Sequence, residues 1–336
     1  MRSLIRSASL TNYAEVAKGA GLDPQRMLRE FGLPLRCLHE PEIKVPIESV
    51  HRLLEASAER SGVEAFGLRM AETRRLSNLG PLGLLMREQP TLRQAVEKLV
   101  GYANRLNAAL FLTLEEVGDV VVLREEVIVG GSGSVRQSTE LAIGVVFRAL
   151  QALLGPNWKP RRVCFAHDPP ADRSVHERVF GRIVEFGHDF NGIVCSRGDL
   201  DVANPNADPA MAQYAEQLFE TNFGGPSDTI TEVRQLVVML LGTGECTIDR
   251  VAQHLGVDRR TIHRHLAREG QTFSGIVDAV RGELVARYLN DSHRTLADVS
   301  SLLGFAAPSG FSRWYRRQFN AQPSRHRARA SRRTTR

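Results

Sequence analysis

The sequence predicts an α+β domain over its first two-thirds, followed by an all-α domain built from two short helical repeats with a longer helix between them. Three observations carry this reading. A β-branched run at residues 119–129 (DVVVLREEVIV) lies among helical periodicities early in the chain, whereas no strand pattern occurs after Thr229. Charge divides along the same line. Residues 233–336 hold 18 arginines and no lysine against 8 acidic residues, a net of +10, while residues 1–232 carry 26 basic and 30 acidic groups, a net of −4. Finally, Leu255-Gly256-Val257 recurs as Leu303-Gly304-Phe305, 48 residues further on.

The length of 336 residues with 42% hydrophobic content suits one large or two ordinary domains. No apolar run is long enough for a membrane span, and the N-terminus MRSLIRSASLTNYAEV has no apolar signal core. Cys37, Cys164, Cys195 and Cys246 form no CxxC pair and read as ordinary small hydrophobes in a reducing cytoplasm.

Residues 47–58 place Ile47, Val50, Leu53 and Leu54 on one helical face. Residues 91–106 do the same with Leu92, Val96, Leu99 and Val100, with Thr91 as N-cap. The run at 119–129 reads as a strand or hairpin edge, and GGSGS at 130–134 breaks the pattern before a long helix at 138–154. Strands are expected at 162–166 and 193–195, with a turn at 187–192. NPNADP at 204–209 is the expected boundary, followed by a helix at 210–222 and a second breaker, FGGPSD, at 223–228.

No catalytic pattern emerges from the chain. GGSGS lacks the Gly-Lys-Ser/Thr ending of a phosphate loop, and no GxSxG elbow is present. His167, His176 and His188, with Asp168 and Asp189, match no zinc spacing and read as surface-loop residues. No catalytic residue, metal site or cofactor is therefore expected.

The basic third is more specific. Within 247–269, Ala252 is followed by Gly256 and Ile262, which supplies the small residue, turn glycine and branched apolar residue that a helix-turn-helix requires. Asp258 can cap the second helix, with Ile262 and Leu266 inward. Arg260, His263 and Arg264 then share the outward face and would meet base edges, while Arg259 meets phosphate. The second unit spans 295–319. There Pro308 suits the first helical turn, Ser309, Ser312 and Arg313 face the groove, and Arg316 and Arg317 face phosphates. Phe311, Trp314, Tyr315 and Phe319 are expected in its core. Between the units, Phe273–Asn290 carries an apolar stripe of Ile276, Val277, Val280, Leu284, Val285, Tyr288 and Leu289. Eighteen residues of helix span roughly 27 Å, so two recognition helices on such a rod could enter successive major grooves about 34 Å apart.

On these residues, 230–327 resembles the DNA-binding domain of AraC-type (AraC/XylS) bacterial transcription regulators. The matching residues are Ala252, Leu255, Gly256, Ile262, Arg264, Leu266 and Gly270, then Leu303, Gly304, Phe305, Ser309, Phe311, Arg313, Pro323 and Arg327. The closing signature reads YRRQFNAQPSRHR, with Asn320-Ala321 in place of the usual glycine region and His326 in place of tyrosine. Ser300 stands where the family prefers alanine. Residues 81–107 and 163–201 resemble the sensor domain of the subgroup that includes ornithine-utilisation regulators.

The resemblance implies an effector-binding and dimerisation domain at 1–203, a linker with a helix at 204–228, a seven-helix double helix-turn-helix reader at 229–327 and a basic tail at 328–336. It implies double-stranded DNA, a second copy of the chain, RNA polymerase and a small effector as partners, in the cytoplasm and on the nucleoid, with no membrane. One alternative is a constitutive regulator whose first domain only dimerises. A remote one is DNA alkyl repair, which would need an activated Cys246.

Overall fold

A computed structural model describes residues 4–129, 134–223, 229–242, 244, 246–290 and 294–324. Residues 130–133 and 224–228, most of the breakers expected at 130–134 and 223–228, and residues 325–336, which include the basic tail, lie outside the described residues. The chain forms two compact units, dividing at residue 224.

The first unit opens with β1 (Leu4–Arg6), α1 (Tyr13–Gly19), α2 (Pro24–Glu30) and β2 (Lys44–Pro46), the two strands pairing antiparallel. Four helices come next: α3 (Ile47–Ser61), α4 (Phe66–Ala71), α5 (Pro81–Arg87) and α6 (Leu92–Leu106). The Thr91 hydroxyl caps α6 by accepting from the Gln94 N–H at 3.3 Å. After α6 the chain forms β3 (Leu110–Val117), β4 (Val120–Val127) and α7 (Arg136–Leu154). The unit closes with β5 (Arg162–Cys164), α8 (Ser174–Phe180), β6 (Val184–Glu185), β7 (Asn191–Ser196), α9 (Arg197–Leu200) and α10 (Pro209–Phe223).

The main sheet runs β3-β4-β7-β5-β6, antiparallel except for β5 with β6. In β4 the apolar run resolves into period-2 burial, with Val121, Leu123 and Val127 in the core. The turn expected at 187–192 ends earlier, because Asn191 and Gly192 already pair with Glu125 and Arg124 of β4.

The NPNADP segment is pinned to this unit. Asn204 Nδ2 donates to the Arg87 and Gln89 carbonyls at 2.7 and 3.0 Å. The helix expected within 204–228 forms as α10 and docks on α6. Phe219 is fully buried against Tyr102, Lys98 Nζ donates to Glu216 at 2.5 Å, and Arg105 donates to Glu220 at 2.7 Å. The first compact unit therefore runs on past residue 203.

Asp168 and Asp189 are exposed as expected, but His167 and His176 are not surface residues. His167 and His176 flank Glu140, which is 0% exposed, with their Nε2 atoms 3.4 and 3.3 Å from its carboxylate. Phe165 and Phe186 rings pack on both imidazoles. Burial pushes His167 down to about 4 and pushes nearby Glu55 up to about 7, although the Gln137 N–H donates to the Glu55 carboxylate at 2.8 Å. Neutral Glu55 therefore contributes stability that is complete below pH 4.5 and lost as pH rises through 7. Neutral His167 contributes stability that is complete above pH 6.5 and lost as pH falls toward 4. The two slopes oppose each other. Glu55→Gln should thus gain about 2 kcal/mol in urea melts at pH 8, after discounting for partial exposure, and gain little at pH 5. Equal effects at both pH values would remove Glu55 from the account.

The second unit is helical throughout the described residues: α11 (Thr229–Leu241), α12 (Ile248–Leu255), α13 (Arg259–Arg268), α14 (Phe273–Asn290), α15 (Leu296–Leu302) and α16 (Pro308–Phe319). Six of the seven expected helices are described. Residues 323 and 324 are helical, and residues 325–336 lie outside the described residues. The apolar stripe of α14 is buried along Ile276, Val277, Val280, Leu284, Val285 and Leu289, against Val233, Val237 and Leu241 of α11 among others. Ser300 is 1% exposed and its hydroxyl finds no partner among the described residues. Ser300→Ala should therefore raise stability by about 1 kcal/mol, and a loss of stability would show that the hydroxyl is hydrogen-bonded. No helix among the described residues is long and apolar enough to cross a membrane.

Candidate nucleic-acid interface and a cavity in the first unit

The first helical repeat is built by its caps. The Thr247 hydroxyl accepts from the Arg250 N–H at 3.2 Å to start α12, and Gly256, at φ 65, makes the left-handed turn. Asp258 then caps α13 by accepting from the Thr261 N–H at 2.8 Å, a bond that also holds its carboxyl below the usual carboxylate range. Ile262 and Leu266 are fully buried, and Ala252 lies at the crossing at 5% exposure. That seating leaves Arg259, Arg260, His263 and Arg264 exposed together. Arg259 lies 3.9 Å from Asp249.

The second repeat has the same plan. Thr295 and Asp298 form a reciprocal capping box at 2.6 and 3.1 Å, opening α15. Gly304 turns the chain at φ 67, and Pro308 occupies the first turn of α16. Phe311, Trp314 and Tyr315 are buried, whereas Phe319 sits at the rim, 44% exposed, its ring tilted against Tyr315 at 4.7 Å between centroids. Ser309, Arg313, Arg316 and Arg317 are exposed, while Ser312 is half-buried.

The sequence reading missed the cross-braces that orient α16. Arg281 of α14 donates to the Leu303 and Gly304 carbonyls at 2.8 and 3.2 Å and lies 3.9 Å from the centre of the Phe305 ring. Asp278, one turn earlier, accepts from Trp314 Nε1 at 2.9 Å and from Arg317 at 3.5 Å. Arg234 of α11 pairs with Glu283 of α14. Asp278 therefore draws on the charge of Arg317, whereas Arg316 makes no ion pair among the described residues. The only local signal was an Asp and an Arg three residues apart on a helix with a long apolar stripe.

Cys246 is half-buried, and burial pushes its thiol up to about 11. Alkyl transfer needs the opposite, a depressed thiol in an electropositive site, so the repair reading finds no support.

The first unit holds a partly open cavity of about 140 Å³ between its helices and sheet, lined by segments from Ile5 to Ala149. Its wall is mostly aliphatic, including Leu54, Leu99, Val127 and Val146, with Arg6, Ser9, His51 and Arg74 among the few polar groups. These segments are far apart in sequence, and no spacing rule gathers them.

Comparison with known proteins places both units. Residues 21–204 match the model described as the arabinose-binding domain of AraC transcription regulator, N-terminal, and residues 251–329 match a helix-turn-helix domain model. The chain is 30% identical over 329 residues to the HTH-type transcriptional regulator VirS of Mycobacterium tuberculosis, covering 97% of each chain. It is 26% identical over 295 residues to the ornithine utilization regulator of Pseudomonas aeruginosa, covering 86% of each. The crystal structure of transcriptional regulator CdpR from Pseudomonas aeruginosa aligns over 90% of this chain and 96% of that one, at 21% identity and a TM-score of 0.45.

Proposed function

The chain belongs to the AraC family of transcription regulators, DNA-binding proteins and not enzymes, and from that premise we propose that it is a cytoplasmic homodimer whose DNA reading is set by a small effector held in the first unit. The observation that carries this reading is the exposure of two arginine-bearing recognition helices, α13 and α16, each seated on its own buried apolar face.

Arg260, His263 and Arg264 of α13 and Ser309, Ser312 and Arg313 of α16 read base edges, with arginine suited to guanine O6 and N7. Arg259, Arg316 and Arg317 hold phosphates. The 140 Å³ cavity supports effector control, because it offers an apolar site with a few convergent polar groups. Effector binding favours the dimer geometry that suits the operator and so shifts the DNA-bound population. RNA polymerase is the further partner that family membership brings.

Two experiments test this. Arg316→Ala should weaken binding to every duplex about equally and reduce the slope of log affinity against log salt by about 0.9, the value for one phosphate contact. An unchanged slope removes Arg316 from the phosphate set. A metabolite screen with the full chain should find a compound that raises its melting temperature and shifts its affinity for a selected duplex. A folded protein that answers to none would favour the constitutive alternative.

A further inference from the structure

The cavity in the first unit holds an unmet demand for an anion. Arg74 lines it at 5% exposure, and no carboxylate among the described residues lies within ion-pair distance. Its Nη1 and Nη2 atoms donate to the Ala8 and Ser9 carbonyls at 2.6 and 2.7 Å, which leaves Nε buried with no acceptor. Ser9, whose carbonyl Arg74 holds, lines the same cavity, and its hydroxyl is likewise buried without a partner among the described residues. The other basic groups are accounted for. Arg6 pairs with Glu42, and burial pushes His51 down toward the neutral form, 3.2 Å from Ser138.

Burial pushes Arg74 down to about 10, still cationic at neutral pH. An unneutralised buried charge is costly, and a ligand that supplies the counter-charge recovers that cost on binding. The aliphatic wall offers few partners to a ring of sugar hydroxyls. Its inner volume is close to that of a cavity of about 150 Å³ known to accept benzene, so it suits an apolar body of about six carbons.

We propose that this cavity binds a small monocarboxylate with a compact apolar body of about six carbons, its carboxylate paired with the buried Arg74 guanidinium beside Ser9. This deepens the effector reading above and rests on it.

Calorimetric titration of the full chain tests the assignment with three probes: cyclohexanecarboxylate, its neutral counterpart cyclohexylmethanol, and L-arabinose. The carboxylate should bind at least about tenfold tighter than the alcohol, the equivalent of one charge-assisted hydrogen bond, and arabinose weakest of all. Arg74→Met should bring carboxylate and alcohol to about the same affinity. Because Arg74 also ties down Ala8 and Ser9, a second variant is needed. Ala142→Phe places a ring in the cavity, leaves Arg74 in place and should abolish binding of the carboxylate. If the alcohol or arabinose binds as tightly as the carboxylate, the carboxylate assignment fails while effector binding stands. If Ala142→Phe still binds the carboxylate at full strength, the cavity is not its site. If no probe binds and the metabolite screen also finds no compound, both readings fall together.

Discussion

Replacing Arg264 and Arg313 together by alanine should remove sequence-specific DNA binding while leaving the protein folded. Both side chains are exposed, one on each recognition helix, and neither contributes to the buried faces that Ile262, Leu266, Phe311, Trp314 and Tyr315 provide. A guanine contact by arginine is worth about 1–3 kcal/mol of discrimination. Two independent contacts on separate helices should nearly add, giving about 2–6 kcal/mol, or a loss of about 30-fold to more than 10,000-fold on the preferred duplex. Binding to unrelated duplexes should fall far less, because Arg259, Arg316 and Arg317 remain. Anisotropy titrations of wild type and double variant on a duplex selected from a random library, and on a scrambled one, measure both quantities. An equal loss on the two duplexes would show that these arginines hold phosphate.

The second large effect separates the two turn glycines. Gly256 and Gly304 adopt nearly the same left-handed conformation, at φ 65 and 67, yet their surroundings differ. A Cβ on Gly256 would meet nothing within 4 Å, whereas one on Gly304 would lie 2.5 Å from the Leu241 carbonyl oxygen. Gly256→Ala should therefore cost only the left-handed strain, about 1 kcal/mol. Gly304→Ala adds a backbone collision to that strain and should cost about 3 kcal/mol, because α11 and the second turn would have to separate. Trp314 is buried beside this turn, so its fluorescence in urea unfolding reports the difference. Equal destabilisation by the two variants would mean that Leu241 moves away freely.

The second unit was legible because its determinants are local. Thr247, Asp258 and Thr295 are caps, Gly256 and Gly304 are turns, and the α14 stripe is one helical face. Each is a short-range rule that tertiary packing had no reason to override. The first unit was legible in its longer helices α3, α6, α7 and α10 and in the strands β4, β5 and β7. Strand β3 was missed because Phe111 and Leu112 are adjacent and both buried, which breaks the alternation that marks a strand. The short helices α4 (FGLRMA) and α5 (PLGLLMR) are buried almost all round and so show no polar face to read.

Long-range chemistry was not legible at all. His167 and His176 looked like loop histidines until Glu140, distant in sequence, was brought between them. Arg74 and Ser9 belong to one cavity wall through hydrogen bonds across more than 60 residues. Asp278 acquires its role from α16 and Arg281 from the Leu303–Gly304 turn, not from their own helix. Pattern reading finds what the backbone period dictates and misses what only folding assembles.

A hydroxyl-radical footprint of the full chain on a duplex it selects from a random library tests the central claim most directly. Two recognition helices of one chain, held on the α11–α14 frame, should protect two patches about one helical turn apart, about 10 base pairs, on one face of the DNA. Arg264→Ala should weaken one patch and Arg313→Ala the other. A single patch insensitive to one of these arginines, or uniform protection along the duplex, would contradict the double-reader account.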